Sequence, residues 1–349
     1  MNTKDSSSLM DFRLIITRDR SGWTALHIAV NECNKAKLED LLSKPCNVNV
    51  EDRIGRTPLH VAAQTSSSVS LAELLIQHGA SVNASGLLKK GVTPLHVAAL
   101  CGNVEVAALL ISKGAAINKI DGYRFIPLHN AAAEGHGRVV DLLIRSGSNI
   151  NAKEEDGATP LYYAAKQGHL DVSKRLIDAG ANIDERDKWG NTPLTIVSDK
   201  NHVSLAQLLV DAKADVNARG MRMRTPLFWA TSREMAALLI QKGADVNARD
   251  EWQNTPLHVA AEKGNAPLAE LLITEGAVVD AENNKRRTPL HWAGNGKMAE
   301  LLIRMGGDVN KKDREGKTPF DLSKSEGRNE VANILRRGTK KSRWWSLGL

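Results

Sequence analysis

The sequence predicts an all-α repeat solenoid, because one short phrase returns along almost the whole chain at a nearly constant interval. Ten copies of Thr-Pro-Leu-His, or of a weaker variant, begin at positions 24, 57, 93, 126, 159, 192, 225, 255, 288 and 318. Successive copies are therefore 33, 36, 33, 33, 33, 33, 30, 33 and 30 residues apart. A period of this size is typical of stacked supersecondary units that each bury one face against a neighbour.

The repeating unit itself predicts two helices and a connector, as the stretch 157–190 illustrates. Thr159 can cap a helix with its hydroxyl, and Pro160 suits the first turn, where the amide hydrogen that it lacks has no partner. Gly168 is placed to end this helix in a left-handed turn, and Gly180 to end the second one. The remaining residues form a turn-rich connector. Ten such units, starting near 22, 55, 91, 124, 157, 190, 223, 253, 286 and 316, predict one elongated domain over residues 21–338.

Bulk composition narrows the class of protein. The 349 residues carry a net charge of +7 and 42% hydrophobic residues, with no apolar run of the roughly 18 residues that a membrane helix needs. The chain starts without a basic region followed by an apolar run, so no signal peptide is expected. Its three cysteines, Cys33, Cys46 and Cys101, show no metal-ligand spacing. We therefore expect a reducing, cytoplasmic compartment.

Six histidines occupy one place, just inside the first helix of their repeats. They are His27, His60, His96, His129, His258 and His291. A ladder of metal ligands is one interpretation, but the same place holds Tyr162, Thr195, Phe228 and Phe320 in other repeats. We instead expect these side chains to hydrogen-bond to the backbone of adjacent loops, and we expect neither a metal nor a cofactor.

Two repeats are three residues shorter than the rest, which predicts a missing helical turn. Both place a tryptophan directly after the usual histidine position, at Trp229 and Trp292. We expect each indole to fill the space that the shorter helix pair leaves. The interval of 36 has another cause, because the connector at 85–91 and the serine-rich segment at 64–70 are both longer. Loops accept such insertions at low thermodynamic cost.

The full pattern resembles the signature of the ankyrin repeat family. It reads Gly-x-Thr-Pro-Leu-His-x-Ala-Ala, then Gly-His or Gly-Asn, then Leu-Leu-Ile-x-x-Gly-Ala-x-Val-Asn-Ala, in ten registers. The resemblance implies stacked antiparallel helix pairs with protruding hairpin-like loops and a curved body, whose concave side is formed by loops and first helices. It also implies a non-catalytic scaffold or adaptor for proteins. Some family members are delivered by intracellular bacteria or carried by viruses to act on host proteins.

In such an array the hairpin tip lies about three residues before the Thr-Pro pair, and the tips are where we look for a partner-binding surface. Reading that place along the chain gives Ile54, Lys90, Tyr123, Asp156, Trp189, Arg222, Trp252, Lys285 and Glu315. Trp189, Arg222 and Trp252 come from consecutive tips and could form one strip. Tryptophan and arginine are the residues most enriched at interface hot spots.

Positive charge surrounds this strip and points to the kind of partner. The predicted partner-binding residues are Tyr123, Trp189, Arg222, Arg224, Trp252, Lys285 and Arg287. They favour a protein partner with an acidic segment, bound by a monomer. Nucleic acid is a weaker interpretation, because the overall charge is small and no nucleic-acid motif occurs. Catalysis is not expected, since no phosphate-binding loop or HExxH motif is present and almost every residue already belongs to a repeat.

Two further interpretations stay open. Asn217, Asn247 and Asn310 lie in a Leu…Asp-Val-Asn pattern that resembles the substrate of an asparaginyl hydroxylase, although asparagine also forms turns. Outside the repeats, residues 1–20 are expected to be disordered or to cap the array. The tail at 339–349 contains Lys340, Lys341, Arg343, Trp344 and Trp345, which suit weak contact with an anionic membrane surface, or a partner signal.

Overall fold

A computed structural model describes residues 22–65, 68–86 and 91–345, with side chains up to residue 337. The chain divides into two compact units, Met1–Asn182 and Ile183–Leu349. In the part of the chain described, all regular structure is helical except for an isolated antiparallel bridge between Gly86 and Val92. The all-α repeat solenoid predicted from the sequence is therefore confirmed.

The first unit contains five helix pairs, one for each of its five copies of the repeated phrase. Its helices are α1 (Ala25–Asn31), α2 (Lys35–Leu42), α3 (Pro58–Gln64), α4 (Val69–Gln77), α5 (Pro94–Cys101), α6 (Val104–Ser112), α7 (Pro127–Glu134), α8 (Gly137–Arg145), α9 (Pro160–Gln167) and α10 (Leu170–Asp178).

The second unit contains the other five repeats. Its helices are α11 (Pro193–Lys200), α12 (Val203–Asp211), α13 (Pro226–Trp229), α14 (Arg233–Gln241), α15 (Pro256–Glu262), α16 (Ala266–Thr274), α17 (Gly296–Arg304), α18 (Pro319–Ser325) and α19 (Asn329–Trp345). Two short 3₁₀ turns, Met221–Met223 and Pro289–Trp292, complete it. The second of these stands where the other repeats have their first helix.

In all repeats but the one that starts with Ile126, the threonine of the repeated phrase caps the first helical segment, and in six repeats a histidine three residues into the phrase secures that start. The backbone N–H of Thr57 donates to Nδ1 of His60 at 3.1 Å, and the Thr57 hydroxyl lies 2.9 Å from the same nitrogen. Nε2 of His60 lies 3.0 Å from the carbonyl oxygen of Val92, in the loop that leads into the next repeat. The imidazole therefore joins its own helix start to the following connector.

The other five histidines make the same contact with the next loop, so the role predicted for them is confirmed. The carbonyl partners of His27, His96, His129, His258 and His291 belong to Arg56, Phe125, Ala158, Arg287 and Lys317. Burial lowers the pKa of His60 to about 4, so this side chain is neutral at pH 7. The described residues contain no group of three or more His, Cys, Asp or Glu side chains that could hold a metal ion.

Small residues let the first helices pack closely, and leucines fill the space between layers. In the first unit Ala62, Ala98, Ala131 and Ala164 are completely buried, as are Leu59, Leu95, Leu128 and Leu161. A methyl side chain at these positions brings one helix near the next, so the core is a continuous layer along the unit.

The two shortened repeats lose the last turn of the first helix. Helix α13 has four residues, and Pro289–Trp292 forms a 3₁₀ turn of the same length. Trp229 packs against the buried cluster of Phe228, Ala248 and Val259. The ring of Trp292 meets that of His258 edge-on, with centroids 6.1 Å apart. Each indole is half-buried, which fits the predicted packing role.

Asparagines form a second set of links between repeats. Asn83 donates from Nδ2 to the carbonyl of Gly114 at 3.1 Å and accepts at Oδ1 from the backbone N–H of Ala116 at 2.8 Å. The same two bonds are made by Asn49, Asn118, Asn217 and Asn247. An amide side chain is required for the pair, because it must donate and accept at once.

The last repeat docks through Arg328, whose guanidinium donates to the carbonyls of Ala293 and His291 at 2.6 and 2.9 Å. Helix α19 continues past residue 338, where the sequence placed the end of the repeats. The side chains predicted to act in the tail, from Lys340 to Trp345, lie outside the described ones. Among the helices described here, none is long and apolar enough to cross a bilayer.

Candidate protein-interaction surface

In seven of the ten repeats, the loop that leads into the first helix is a hairpin anchored by a buried polar side chain five residues before the first residue of the repeated phrase. Asp250 shows the geometry: its Oδ1 accepts from the backbone N–H of Trp252 at 2.9 Å and from that of Asn254 at 2.8 Å. The equivalent residues in other hairpins are Asp52, Asp121, Glu154, Asp187, Asn283 and Asp313. These anchors fix the tip residues, and their recurrence in the sequence is the signal that would have revealed them.

Consecutive tips in the second unit are also joined by backbone hydrogen bonds. The N–H of Glu251 donates to the Arg222 carbonyl at 3.0 Å, that of Asn284 to Trp252 at 2.9 Å, and that of Arg314 to Lys285 at 2.9 Å. Arg222, Trp252 and Lys285 are therefore held in order on neighbouring hairpins. This arrangement provides a fixed surface rather than a set of independent loops.

The predicted strip is partly assembled. The Arg222 guanidinium lies 4.7 Å from the centroid of the Trp252 ring, so these two side chains stack across adjacent repeats. Trp189 has a different partner, the ammonium of Lys188, 4.5 Å from its ring centroid. Both indoles remain 39% exposed, which for a tryptophan is a large free area.

Arg224 and Arg287, also predicted to bind a partner, are held inside the protein. Their side chains are only 14% and 18% exposed, and they pair with the buried anchors Asp250 at 3.1 Å and Asp313 at 2.9 Å. Arg224 also lies 5.7 Å from the ring of Trp229 and 5.8 Å from that of Trp252. The geometry therefore assigns these arginines to the support of the hairpins.

The remaining predicted partner-binding residues differ in their exposure and in the contacts that they make. Lys285 is exposed at its tip, and among the described residues no carboxylate stands within ion-pair distance of it. The same holds for Arg219 and Arg222. Tyr123 belongs to the first unit, where it is half-buried and its backbone N–H bonds to the Asp121 anchor at 2.8 Å.

The Thr225 hairpin departs from the others, and sequence reasoning missed the reason. Its anchor position holds Gly220, where an added Cβ would lie 2.8 Å from Oδ1 of Asn191. In this hairpin, which lacks an anchoring carboxylate, Arg222 lies in the left-handed region at φ 60°, in addition to Met223 at φ 60°, whose position is left-handed in the other described hairpins too. Such a conformation costs roughly 1–2 kcal/mol for a residue with a side chain. It leaves Met223 46% exposed beside Arg222.

The asparagines in the hydroxylation-like pattern have structural partners. Asn217 donates to the carbonyl of Gly243, and Asn247 to that of Gly276, each at 2.9 Å. Asn310 lies in the last repeat junction, and its backbone N–H donates to Oδ1 of Asp308 at 2.9 Å. The ladder of asparagines accounts for the identity of Asn217 and Asn247 without any modification.

Comparison with known proteins agrees with this geometry. A family model described as "Ankyrin repeats (3 copies)" matches residues 26–121, 128–220, 176–250, 219–283 and 257–343, and a second, "Ankyrin repeats (many copies)", matches 103–144. The ankyrin repeat protein FPV031 of fowlpox virus is 30% identical over 93 residues. That match covers 26% of this chain and 27% of the viral protein, so the chain spans about a quarter of that relative.

Solved structures show the same likeness. The human ASB11 ankyrin repeat domain has a TM-score of 0.58 at 29% identity, covering 64% of this chain and 99% of that one. The ankyrin repeat domain of Bcl-3, a member of the IkappaB family, has a TM-score of 0.55 at 26% identity, covering 63% and 100%. Since family models match most of its length, the chain belongs to the ankyrin repeat family, whose repeats generally serve as protein–protein interaction modules.

Proposed function

We propose that this chain is a non-catalytic scaffold that binds a partner protein through the hairpin tips and neighbouring first helices of its second unit. The observation that carries the proposal is the exposure of Trp189, Met223 and Trp252 on hairpins whose backbones are held by hydrogen bonds. Large apolar side chains on a fixed backbone lose little entropy when a partner covers them, which is how hot-spot residues stabilise an interface.

The charges around these side chains favour a partner segment that is acidic and partly apolar. Arg222 and Lys285, which stand on the tips themselves, carry charges that no carboxylate of the described residues neutralises. Exposed Glu251 and Glu315 stand on the same row of tips. Purely electrostatic binding would therefore be weak, and the exposed indoles supply the apolar contact that affinity requires.

Nucleic acid is a poorer fit for this surface. Three of the cations near the tips are already paired: Arg224 with Asp250, Arg286 with Glu282, and Arg287 with Asp313. A groove that follows a phosphate backbone needs a continuous row of free cations, since each one replaces a counterion. Exposed carboxylates, Glu251 and Glu315, instead interrupt the row of tips that carries Arg222 and Lys285.

The test is capture of partners from cell lysate by the intact chain and by a Trp189→Ala/Arg222→Ala/Trp252→Ala variant. The matched control is Glu234→Ala/Lys297→Ala/Glu300→Ala, which changes three exposed residues on the second helices α14 and α17. All three proteins must show the same helical circular dichroism. Loss of a specific partner in the tip variant alone supports the proposal, and equal capture by all three contradicts it.

Two narrower roles have one observation each. The similarity to a fowlpox virus protein favours an effector that acts on host proteins in the cytoplasm, and proximity labelling in host cells would test it. The Leu…Asp-Val-Asn pattern favours hydroxylation, and mass spectrometry that finds Asn217, Asn247 and Asn310 unmodified in the native protein would remove that role. A version truncated after Leu335 tests whether the tail binds a membrane or a partner.

A further inference from the structure

The Thr225 hairpin is the place where this array departs most from its own rule. At the residue two before the threonine, a left-handed conformation is common to the described hairpins, usually with glycine and elsewhere with Arg124, Gln253 or Arg286. Arg222, one residue earlier, is also left-handed, and among the described tips it alone has this conformation. Backbone strain of this kind persists where the surroundings hold it, and it clusters at functional sites.

The strained turn has a definite result, because it lays the Arg222 guanidinium over the Trp252 ring at 4.7 Å from the centroid. Stacking uses the flat face of the guanidinium and leaves the N–H donors on its edge available. The backbone carbonyl of Arg222 is meanwhile held by the N–H of Glu251 at 3.0 Å. The side chain is therefore oriented before any partner arrives.

Neighbouring arginines have hydrogen-bond acceptors for their guanidinium groups, and in the described part of the chain Arg222 has none. Arg224, two residues on, binds the buried carboxylate of Asp250, and Arg287 binds that of Asp313 in the same way. Arg249 donates to the carbonyls of Gln253 and Glu282. Arg222 has no such acceptor among the described residues, and a guanidinium fork matches a carboxylate in bidentate fashion.

We propose that Arg222 receives a carboxylate of the partner and that the exposed parts of Met223 and Trp252 receive an apolar side chain next to it. The partner is then a peptide segment in which Asp or Glu lies within about two residues of an aliphatic or aromatic residue. Met223 lies in the sequence between Arg222 and Arg224, which are 4.7 and 5.8 Å from the Trp252 ring centroid, so we place the apolar subsite next to the acidic one. This inference rests on the proposed function and names the partner chemistry for that surface.

The experiment selects phage-displayed random 12-residue peptides on the full chain and measures synthetic, fluorescein-labelled copies by anisotropy. Binding to the unchanged protein is compared with binding to Arg222→Ala and to Arg219→Ala, which removes an exposed cation from the same hairpin. We expect peptides with the stated pattern, and a dissociation constant about ten- to a hundredfold higher for Arg222→Ala but nearly unchanged for Arg219→Ala.

Two more variants keep the result interpretable. Arg222→Gly accepts the left-handed turn without strain and must weaken binding as Arg222→Ala does, even if the alanine variant folds poorly. Arg222→Lys keeps the charge but not the fork, so it should recover only part of the affinity. Replacing the peptide's Asp by Asn should cost as much as Arg222→Ala, and the two losses should not add.

The contrary outcomes separate this inference from the proposed function. Peptides lost on Trp189→Ala/Trp252→Ala but insensitive to Arg222→Ala would keep the scaffold and overturn the carboxylate site. Selection that yields no peptide dependent on Arg222, or equal losses with Arg219→Ala, would also overturn it. Tight binding of a labelled 20-nucleotide single-stranded DNA that Arg222→Ala abolishes would assign the site to phosphates instead.

Discussion

The guanidinium of Arg222 lies 4.7 Å from the ring centroid of Trp252, although the two residues belong to different repeats. A backbone hydrogen bond between their hairpins, from Glu251 to the Arg222 carbonyl, holds the pair together. The contact places a cation over an aromatic face, next to the Thr225 hairpin, whose anchor position holds Gly220. It gives the second unit a surface feature that its repeated residues do not supply.

Arg224→Ala should destabilise the fold, whereas Lys285→Ala should not. Arg224 pairs with Asp250, whose side chain is fully buried, so its removal leaves a buried carboxylate without its cation. We expect the free energy of unfolding to fall by about 2 kcal/mol. Lys285 is exposed, and a change there should stay within about 0.5 kcal/mol. Urea unfolding measures both, and equal small effects would contradict the structural role of Arg224.

Thr225→Val should leave stability unchanged or raise it, while Thr57→Val should lower it. The Thr57 hydroxyl lies 2.9 Å from Nδ1 of His60, but the equivalent place in the Thr225 repeat holds Phe228. The buried Thr225 hydroxyl consequently has no partner. Removing a paired hydroxyl should cost about 1 kcal/mol, and removing an unpaired one should not. Equal losses in thermal or urea unfolding would contradict this account.

The fold was predictable because each repeat solves the same packing problem with the same residues. Thr57, Pro58 and His60 show it: the threonine starts the helix, the proline fits its first turn, and the histidine reaches the next loop. The site was less predictable, since it depends on contacts between repeats. That Arg224 would turn inward to Asp250 could not be read from either residue, because both positions carry charge and lie 26 residues apart.

The unusual conformation of the Thr225 hairpin could not be predicted from the sequence either, and the reason is related. Gly220 stands where seven other hairpins carry an anchoring Asp, Glu or Asn, and that absence becomes meaningful only once the role of the anchor is known. The left-handed backbone of Arg222 occurs in the described hairpin whose anchor position holds glycine. Residue propensity alone would not place arginine there.

Asp280→Asn should stabilise the second unit. Asp280 occupies a ladder position and accepts from the N–H of Asp308 at 3.1 Å, but a carboxylate cannot donate to a carbonyl as Asn247 does to that of Gly276. Burial raises the pKa of Asp280, so the charged form is the less favourable one in the fold. We expect a gain of about 1 kcal/mol in the free energy of unfolding at pH 7.

The pH dependence provides the check on Asp280. A carboxyl group with a raised pKa in the folded state loses stability as pH rises through the window above its unfolded value of 3.8. The benefit of Asp280→Asn should therefore be larger at pH 7 than near pH 4. The reverse change, Asn247→Asp, should destabilise. Urea unfolding at the two pH values would contradict the ladder argument if the benefit were the same at both.

Gln253→Gly should stabilise the array, and Gly190→Ala should destabilise it. Both residues lie two before the threonine of their hairpins, with φ 63° for Gln253 and φ 83° for Gly190. Glycine adopts this region freely, whereas a residue with a Cβ is strained there. Each change should shift the free energy of unfolding by about 1 kcal/mol, in opposite directions. Thermal melts that move in the same direction would show that another factor governs this position.

Acidification from pH 7 to pH 5 should weaken the fold through its buried histidines. Burial lowers the pKa of His60, His96, His129 and His258 to about 4, below the unfolded value of 6.5. Between those values the unfolded chain binds more protons, so stability falls as pH falls, by at most about 2 kcal/mol for each histidine at pH 5. Ordinary carboxylates titrate mostly below this window.

Urea unfolding at pH 7, 6 and 5 measures that slope, and His60→Gln is the variant that isolates one contribution. Glutamine cannot take up a proton, so this variant should be less stable than the unchanged protein at pH 7 but should lose less on acidification. Near pH 5.5 the difference between the two slopes should correspond to the uptake of nearly one proton on unfolding. His60 is then protonated in the unfolded chain and neutral in the fold. Identical slopes would mean that His60 takes up its proton in the fold at the same pH as in the unfolded chain, contrary to its burial.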